Sequence, residues 1–131
     1  MTGNRLPPDD PLEWLNRAKS SLSLARRKSH EIYLEDLCFQ AQQAAEKAIK
    51  AVYVAQDLVF PYVHDLSQLL SVLEKNGIPV PAAIRTASKL TIFAALTRYP
   101  GLGTPVSEEE YDEAMQLAEA VVSWAETYVR T

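Results

Sequence analysis

The first half of the chain is almost free of turn-forming residues. No proline occurs between Pro11 and Pro61, and no glycine occurs between Gly3 and Gly77. Residues 12–60 are therefore 49 consecutive residues without a proline. Short strands joined by tight turns need proline and glycine at the turns. This distribution argues against an all-β sandwich or barrel, and it disfavours an α/β sheet with glycine-rich phosphate loops.

Helical periodicity indicates the fold instead. Apolar residues recur at helical spacing in five segments, and helix-start and helix-stop signals flank these segments. Asp10 with Glu13, and Ser107 with Glu110, predict two capping boxes, and Gly77 predicts the end of the third helix. The predicted helices run over 11 to about 28, 33–57, 65–76, about 81 to 94–98, and 107 to the end of the sequence.

The length of the chain decides how these helices are arranged. A continuous helix over 11–57 would be about 70 Å long, whereas a compact domain of this size has a radius of gyration of about 14 Å. The chain must therefore reverse, and the polar segment 28–31 is the predicted reversal. We predict an all-α, up-and-down bundle of four to five helices. It forms a single domain over 1–131, with residues 1–9 flexible.

Composition and charge bear on location and partners. Cys38 is the single cysteine and sits among apolar residues, which predicts a buried, inert thiol. No apolar run approaches the roughly 20 residues needed to cross a bilayer, and no apolar signal region follows the start, so we expect a cytoplasmic protein with no membrane contact. Residues 17–98 hold eleven Lys/Arg against seven Asp/Glu, whereas residues 99–131 hold one against seven. We expect the acidic segment to dock on the basic one or on a second copy.

Sequence motifs for common chemistries are missing. There is no phosphate-binding glycine loop, no dinucleotide-binding fingerprint and no zinc-protease or hydrolase motif. The two histidines, His30 and His64, do not follow a glutamate by three residues, which argues against a di-metal carboxylate bundle. The sequence predicts neither a cofactor nor a metal site. His64-Asp65 has two interpretations: Asp65 caps the third helix while His64 closes the loop, or His64 binds an anion at the helix start.

Further polar segments also have two interpretations. Arg98-Tyr99 either ends the fourth helix and meets the acidic segment 108–113, or binds a phosphate and stacks on a base. The basic run 26–28 is either a solvated helix end or a weak nucleic-acid contact. On the second helix, the positions near Lys47 predict a solvated face with a Glu46–Lys50 ion pair. Three aromatic residues are predicted to belong to the core or to a dimer contact: Tyr53, Phe60 and Tyr62.

One run in the second helix resembles a known family. The sequence YLEDLCFQAQQAAEKAIKA at 33–51 resembles the signature of HEPN domains, the "higher eukaryotes and prokaryotes nucleotide-binding" family. Three further pieces resemble the family in the same order: EWLNRAK at 13–19, HDL at 64–66 and TRYPG at 97–101. The resemblance extends from about residue 10 to residue 129. It implies an α-helical bundle that is usually dimeric.

The resemblance also implies a function. Prokaryotic members are often encoded beside a minimal nucleotidyltransferase, and many such pairs are toxin–antitoxin modules. Some members are metal-independent ribonucleases that use an arginine followed, after four to six residues, by a histidine. No histidine follows Arg98 here, so the expected general acid or base is missing.

These considerations favour a non-catalytic module that binds a nucleotide, a nucleotidyltransferase partner, or both, as a homodimer. The alternatives are a ribonuclease with a degenerate motif and a purely structural helical adaptor; whether RNA binds is left open. The predicted ligand residues are Arg98 and His64 for phosphate, Asp65 beside His64, Tyr99 for stacking, and Lys47 as a further charge.

Overall fold

The computed structural model describes residues 4–96 and 105–129, and all regular secondary structure in them is helical. The predicted all-α bundle is confirmed. Its elements, in chain order, are α1 (Pro11–Ala25), α2 (Leu34–Ala55), α3 (Leu66–Lys75), α4 (Ala82–Arg85), a 3₁₀ segment (Thr86–Ile92), α5 (Phe93–Leu96) and α6 (Glu108–Glu126).

Helix α2 lies at the centre of the bundle. It packs antiparallel to α1 on one side and against α6 on the other. Five of its alanines are completely buried and form an alanine seam: Ala41, Ala44, Ala45, Ala48 and Ala51. Because alanine has no side chain beyond Cβ, this seam lets both neighbouring helices approach closely. The chain reverses between α1 and α2, so the predicted helical hairpin is present, although α1 ends at Ala25 rather than near 28.

Side chains cap the starts of α3 and α6, and the cap of α6 is the predicted one. The Asp65 carboxylate accepts a hydrogen bond from the backbone N–H of Ser67 at 2.9 Å and caps α3. Ser107 and Glu110 form both hydrogen bonds of a capping box at the start of α6. Each satisfies backbone N–H groups that a helix start would otherwise leave without a partner.

The capping box predicted at α1 is only half formed. Asp10 accepts a hydrogen bond from Leu12 N at 2.9 Å, as an N-cap should. Glu13 does not reach back to Asp10, because its Oε1 accepts the Leu6 N–H at 3.0 Å and its Oε2 accepts Arg17 Nε at 2.5 Å. The prediction for Glu13 is therefore wrong. Its hydrogen bonds instead fasten the N-terminal segment 4–10 along α1.

Two helices end in the same backbone motif with different residues. Gly77 follows α3 with φ +86°, and the next residue, Ile78, donates its N–H to Leu73 O at 3.0 Å. Asp57 follows α2 with φ +55°, and Leu58 donates to the carbonyl of Tyr53 at 2.9 Å. Both are left-handed helix stops, a conformation that glycine adopts without strain and that aspartate tolerates.

The fourth predicted helix is not continuous. The segment between Pro81 and Leu96 is divided into α4, the 3₁₀ segment and α5. Thr91 Oγ1 bonds outside this segment, because it accepts from the N–H of Leu66 at the start of α3 at 3.1 Å. Within the segment, Thr86 Oγ1 competes for a backbone acceptor and donates to Ala82 O at 3.0 Å. Such side-chain bonds weaken the preference for a regular α-helix. The prediction of one regular helix over this segment is therefore wrong.

The acidic C-terminal helix docks on the basic first helix of the same chain. Lys19 pairs with Glu126 at 2.8 Å and Arg26 with Glu119 at 2.9 Å. Lys28, in the reversal, pairs with Glu108. All six side chains are substantially exposed, so each pair contributes at most about 1 kcal/mol. The acidic and basic segments thus pair within one chain. Two residues of the basic run 26–28, Arg26 and Lys28, form ion pairs with α6.

The single cysteine is buried, as predicted. Cys38 has no exposed surface, and burial raises the pKa of its thiol to about 12, with smaller contributions from Glu35 and Glu110. Over residues 4–96 and 105–129, no helix is both long and apolar enough to cross a membrane.

Candidate functional site

A buried carboxylate lies where α2 meets the loop before α3. Glu46 is 4% exposed. It accepts hydrogen bonds from Lys50 Nζ at 2.8 Å and from Gln42 Nε2 at 2.9 Å, and His64 Nδ1 lies 3.1 Å from its Oε1. The predicted Glu46–Lys50 pair is therefore present. The prediction that this face of α2 is solvated is wrong for Glu46, which is buried.

Aromatic rings cover the cation of this cluster. Lys50 Nζ lies 4.9 Å from the ring centroid of Phe60 and 5.8 Å from that of Trp14. The two rings meet edge to face, with centroids 5.3 Å apart. The three aromatic residues predicted to belong to the core or to a dimer contact do not share one environment. Tyr53 is fully buried and donates its hydroxyl to Leu69 O, whereas Tyr62 is 99% exposed.

The cluster keeps Glu46 ionised. Burial alone would raise the pKa of this carboxyl, but the hydrogen bonds from Lys50, Gln42 and His64 outweigh burial and lower the pKa. Its negative charge therefore balances that of Lys50. His64 contacts this carboxylate, while its side chain is 65% exposed. Asp65 points its carboxylate at the start of α3, in the capping role that was one of its two interpretations.

A second polar feature, the α1–α2 groove, has an excess of positive charge. Its volume is about 640 Å³. It is lined by Asn4, Arg5, Glu13, Asn16, Arg17, Ser20, Ser21, Leu24, Gln40 and Lys47. Lys47 is half-buried there and donates to Ser21 Oγ at 2.9 Å. Within the described part of the chain, no carboxylate lies within salt-bridge distance of Lys47.

Two residues of the groove, Lys47 and Glu13, have pKa values below their ordinary values. Burial lowers the pKa of Lys47, and the nearby Arg17 charge lowers it further. The Leu6 N–H and the Arg17 guanidinium lower the pKa of Glu13 despite the opposing effect of its desolvation. Glu13 is therefore a carboxylate that holds Arg17 in place, while Lys47 is a partly desolvated cation with no carboxylate paired to it in residues 4–96 and 105–129.

The predicted site residues do not all come together. Lys47 lines the α1–α2 groove, whereas His64 and Asp65 lie at the junction of α2 and α3. Arg98 and Tyr99 lie outside the described residues. Arg17 was not predicted as a ligand residue, although its spacing of four from Glu13 on one helix indicates a positioned guanidinium.

Fold and sequence together define a HEPN domain. The family model described as "HEPN domain" matches residues 12–128, and the chain belongs to this family. Among curated proteins, none matches this sequence.

Two solved structures are similar over most of the chain. TT1696 from Thermus thermophilus is 29% identical with a TM-score of 0.80, over 91% of this chain and 98% of that one. ST0689, an archaeal HEPN homologue, is 27% identical with a TM-score of 0.74, over 92% of this chain and 98% of that one.

Proposed function

We propose that this HEPN domain is a non-catalytic module that binds a nucleotide through its phosphates in the α1–α2 groove. One observation carries the proposal: the half-buried ammonium of Lys47 has only a serine hydroxyl as its hydrogen-bond partner among the described residues. Removing a cation from water without an opposite charge is unfavourable. A bound phosphate would supply that opposite charge.

The positions of the histidines support a binding role rather than ribonuclease activity. Neither His30 nor His64 lines the groove. His30 lies in a separate pocket beside Lys28 and Glu108, and His64 contacts Glu46. A general acid or base must come within hydrogen-bond reach of the reacting proton. A phosphate in the groove would have arginine and lysine beside it, but no histidine from the described part of the chain.

Calorimetric titration with ATP tests this proposal. The wild-type protein should bind, and Lys47→Gln should weaken binding at least about tenfold, equivalent to 1.4 kcal/mol. Lys75→Gln is the matched control, because Lys75 is exposed at the end of α3 and away from the groove. Absence of heat at millimolar ATP would refute nucleotide binding and leave the adaptor alternative. Cleavage of purified RNA by the wild-type protein would refute the non-catalytic assignment.

A second candidate function, protein association, is favoured by an exposed apolar surface. Val59 is 93% exposed and Tyr62 is 99% exposed in the loop between α2 and α3. Exposed tyrosine next to aliphatic side chains is typical of contact surfaces. We propose that this surface forms the homodimer or receives a minimal nucleotidyltransferase, as in a toxin–antitoxin pair.

Light scattering with size-exclusion chromatography separates these outcomes. A dimer that becomes monomeric in Tyr62→Ser supports self-association through this surface. A wild-type monomer that co-purifies with a co-expressed minimal nucleotidyltransferase, and loses it in Tyr62→Ser, supports the heterologous partner. A monomer that retains no such partner would refute both forms of the proposal.

A further inference from the structure

We infer, building on the proposed nucleotide binding, that the α1–α2 groove recognises a chain of two or more phosphates and does not discriminate between bases. The ligand class is a nucleoside 5′-diphosphate or triphosphate, or inorganic polyphosphate. These share one chemistry, a short polyanion with closely spaced phosphates.

The cations of the groove come from three separate parts of the fold. Arg5 lies in the N-terminal segment, Arg17 on α1 and Lys47 on α2. Glu13 is the one carboxylate in the described lining, so the cations exceed the anions by two. Cations spread over three elements fit an extended polyanion better than a single phosphate.

Glu13 also presets the geometry of Arg17. Its Oε2 accepts Arg17 Nε, and its Oε1 is already occupied by Leu6 N–H. The two terminal nitrogens of the guanidinium have no hydrogen-bond partner among the described residues. A guanidinium with this edge open can bind one phosphate through two parallel hydrogen bonds. Lys47 uses one of its three hydrogens on Ser21 and keeps two for a neighbouring phosphate.

The rest of the lining offers nothing specific to a base. Asn16, Ser20, Ser21 and Gln40 contribute amides and hydroxyls, and Leu24 is the one apolar side chain. The described lining includes no aromatic ring on which a base could stack, and such stacking is a major source of nucleobase affinity. Trp14 and Phe60 pack on Lys50 in the Glu46 cluster instead. The groove volume lies within the usual range for small ligands, about 300–1,000 Å³.

A panel of ligands tests the inference on the full chain. Titrations at low ionic strength compare ATP, GTP, CTP and UTP with AMP and inorganic tripolyphosphate. We expect the four triphosphates to bind within about threefold of one another, AMP to bind at least about tenfold more weakly, and tripolyphosphate to compete with ATP. Arg17→Gln and Lys47→Gln should each weaken tripolyphosphate binding about tenfold, whereas the control Arg27→Gln on an exposed position should not.

The outcomes separate this inference from the proposed function. Binding of one nucleotide more than tenfold tighter than the others, or of ATP without tripolyphosphate, overturns the inference and leaves nucleotide binding intact. Tripolyphosphate binding without any nucleotide supports the inference and overturns the proposed function. Binding of neither overturns both, provided circular dichroism shows folded protein. Displacement of tripolyphosphate by an oligoribonucleotide lacking a 5′-phosphate, at equal phosphate concentration, would also overturn the inference.

Discussion

Replacing Glu46 with alanine should destabilise the fold strongly, because it leaves a covered ammonium without its counter-ion. The Lys50 side chain is 13% exposed and the Glu46 side chain 5%. Removing one partner of a buried ion pair typically costs about 3–5 kcal/mol. Water can approach past the exposed His64, so we expect the lower end, about 3 kcal/mol. For 131 residues the entropy of unfolding is about 0.28 kcal/mol/K, which gives a fall in Tm of about 11 °C.

Two further variants make the measurement decisive. Glu46→Gln also removes the counter-ion but keeps the shape and one acceptor oxygen for Lys50, so it should cost less than Glu46→Ala, about 1.5–2.5 kcal/mol. Glu113→Ala removes an exposed glutamate that pairs with Lys89 at 3.4 Å, and should cost at most about 1 kcal/mol. Urea unfolding followed by circular dichroism gives all three free energies. If Glu46→Ala costs no more than Glu113→Ala, the reasoning about a buried, paired carboxylate is refuted.

The same carboxylate predicts a dependence on pH. Its pKa in the folded state lies below the reference value of 4.5. A lowered pKa means that Glu46 stabilises the fold above the unfolded-state pKa, and that this contribution is lost as pH falls through the folded-state pKa. Stability of the wild type should therefore decrease below about pH 4.5, and it should decrease less in Glu46→Gln. Parallel pH profiles for the two proteins would contradict the assigned shift.

Three smaller effects follow from other contacts. Tyr111 Oη donates a hydrogen bond at 2.7 Å to the carbonyl of Ala25, the last residue of α1. Tyr111→Phe should therefore lower the free energy of unfolding, measured in urea, by about 1–3 kcal/mol. A cost near zero would show that water replaces this bond. Gly77→Ala meets open space but keeps φ +86°, so it should cost about 1 kcal/mol, whereas Asp57→Gly should change stability by less than about 0.5 kcal/mol. With a thiol pKa of about 12 and no exposed surface, Cys38 should react with a thiol reagent only as fast as the protein unfolds; fast labelling of the folded protein would contradict this.

The fold was readable from the sequence where local signals determine it. Ser107 with Glu110 formed the capping box that their spacing predicts, because both partners lie in the same turn and no other group among the described residues hydrogen-bonds to their side chains. Glu13 had the same spacing from Asp10, but the N-terminal segment and Arg17 took its two oxygens. A competition between local and more distant partners is not visible in the spacing alone.

The candidate site was less predictable for a related reason. Glu46 and Lys50 have the spacing of an ordinary surface pair, yet His64, 18 residues further on, and Phe60 cover them. The packing of the loop before α3 onto α2 brings these residues there, and the spacing of Glu46 and Lys50 does not reveal it. Lys47 was singled out from sequence, but the sequence does not show that α1 places the Ser21 hydroxyl, rather than a carboxylate, within hydrogen-bond distance of it.

The alanine seam of α2 has a consequence for mutational mapping. Alanine scanning treats alanine as the neutral reference, so it skips five fully buried positions on the helix that packs against both α1 and α6. Larger side chains would overpack those positions at a typical cost of about 1–3 kcal/mol each, and glycine would cost about 1 kcal/mol in helix propensity. A scan that reported α2 as tolerant would have left five of its fully buried residues unexamined. The informative experiment replaces each alanine of the seam in turn with serine, glycine and valine and measures the free energy of unfolding.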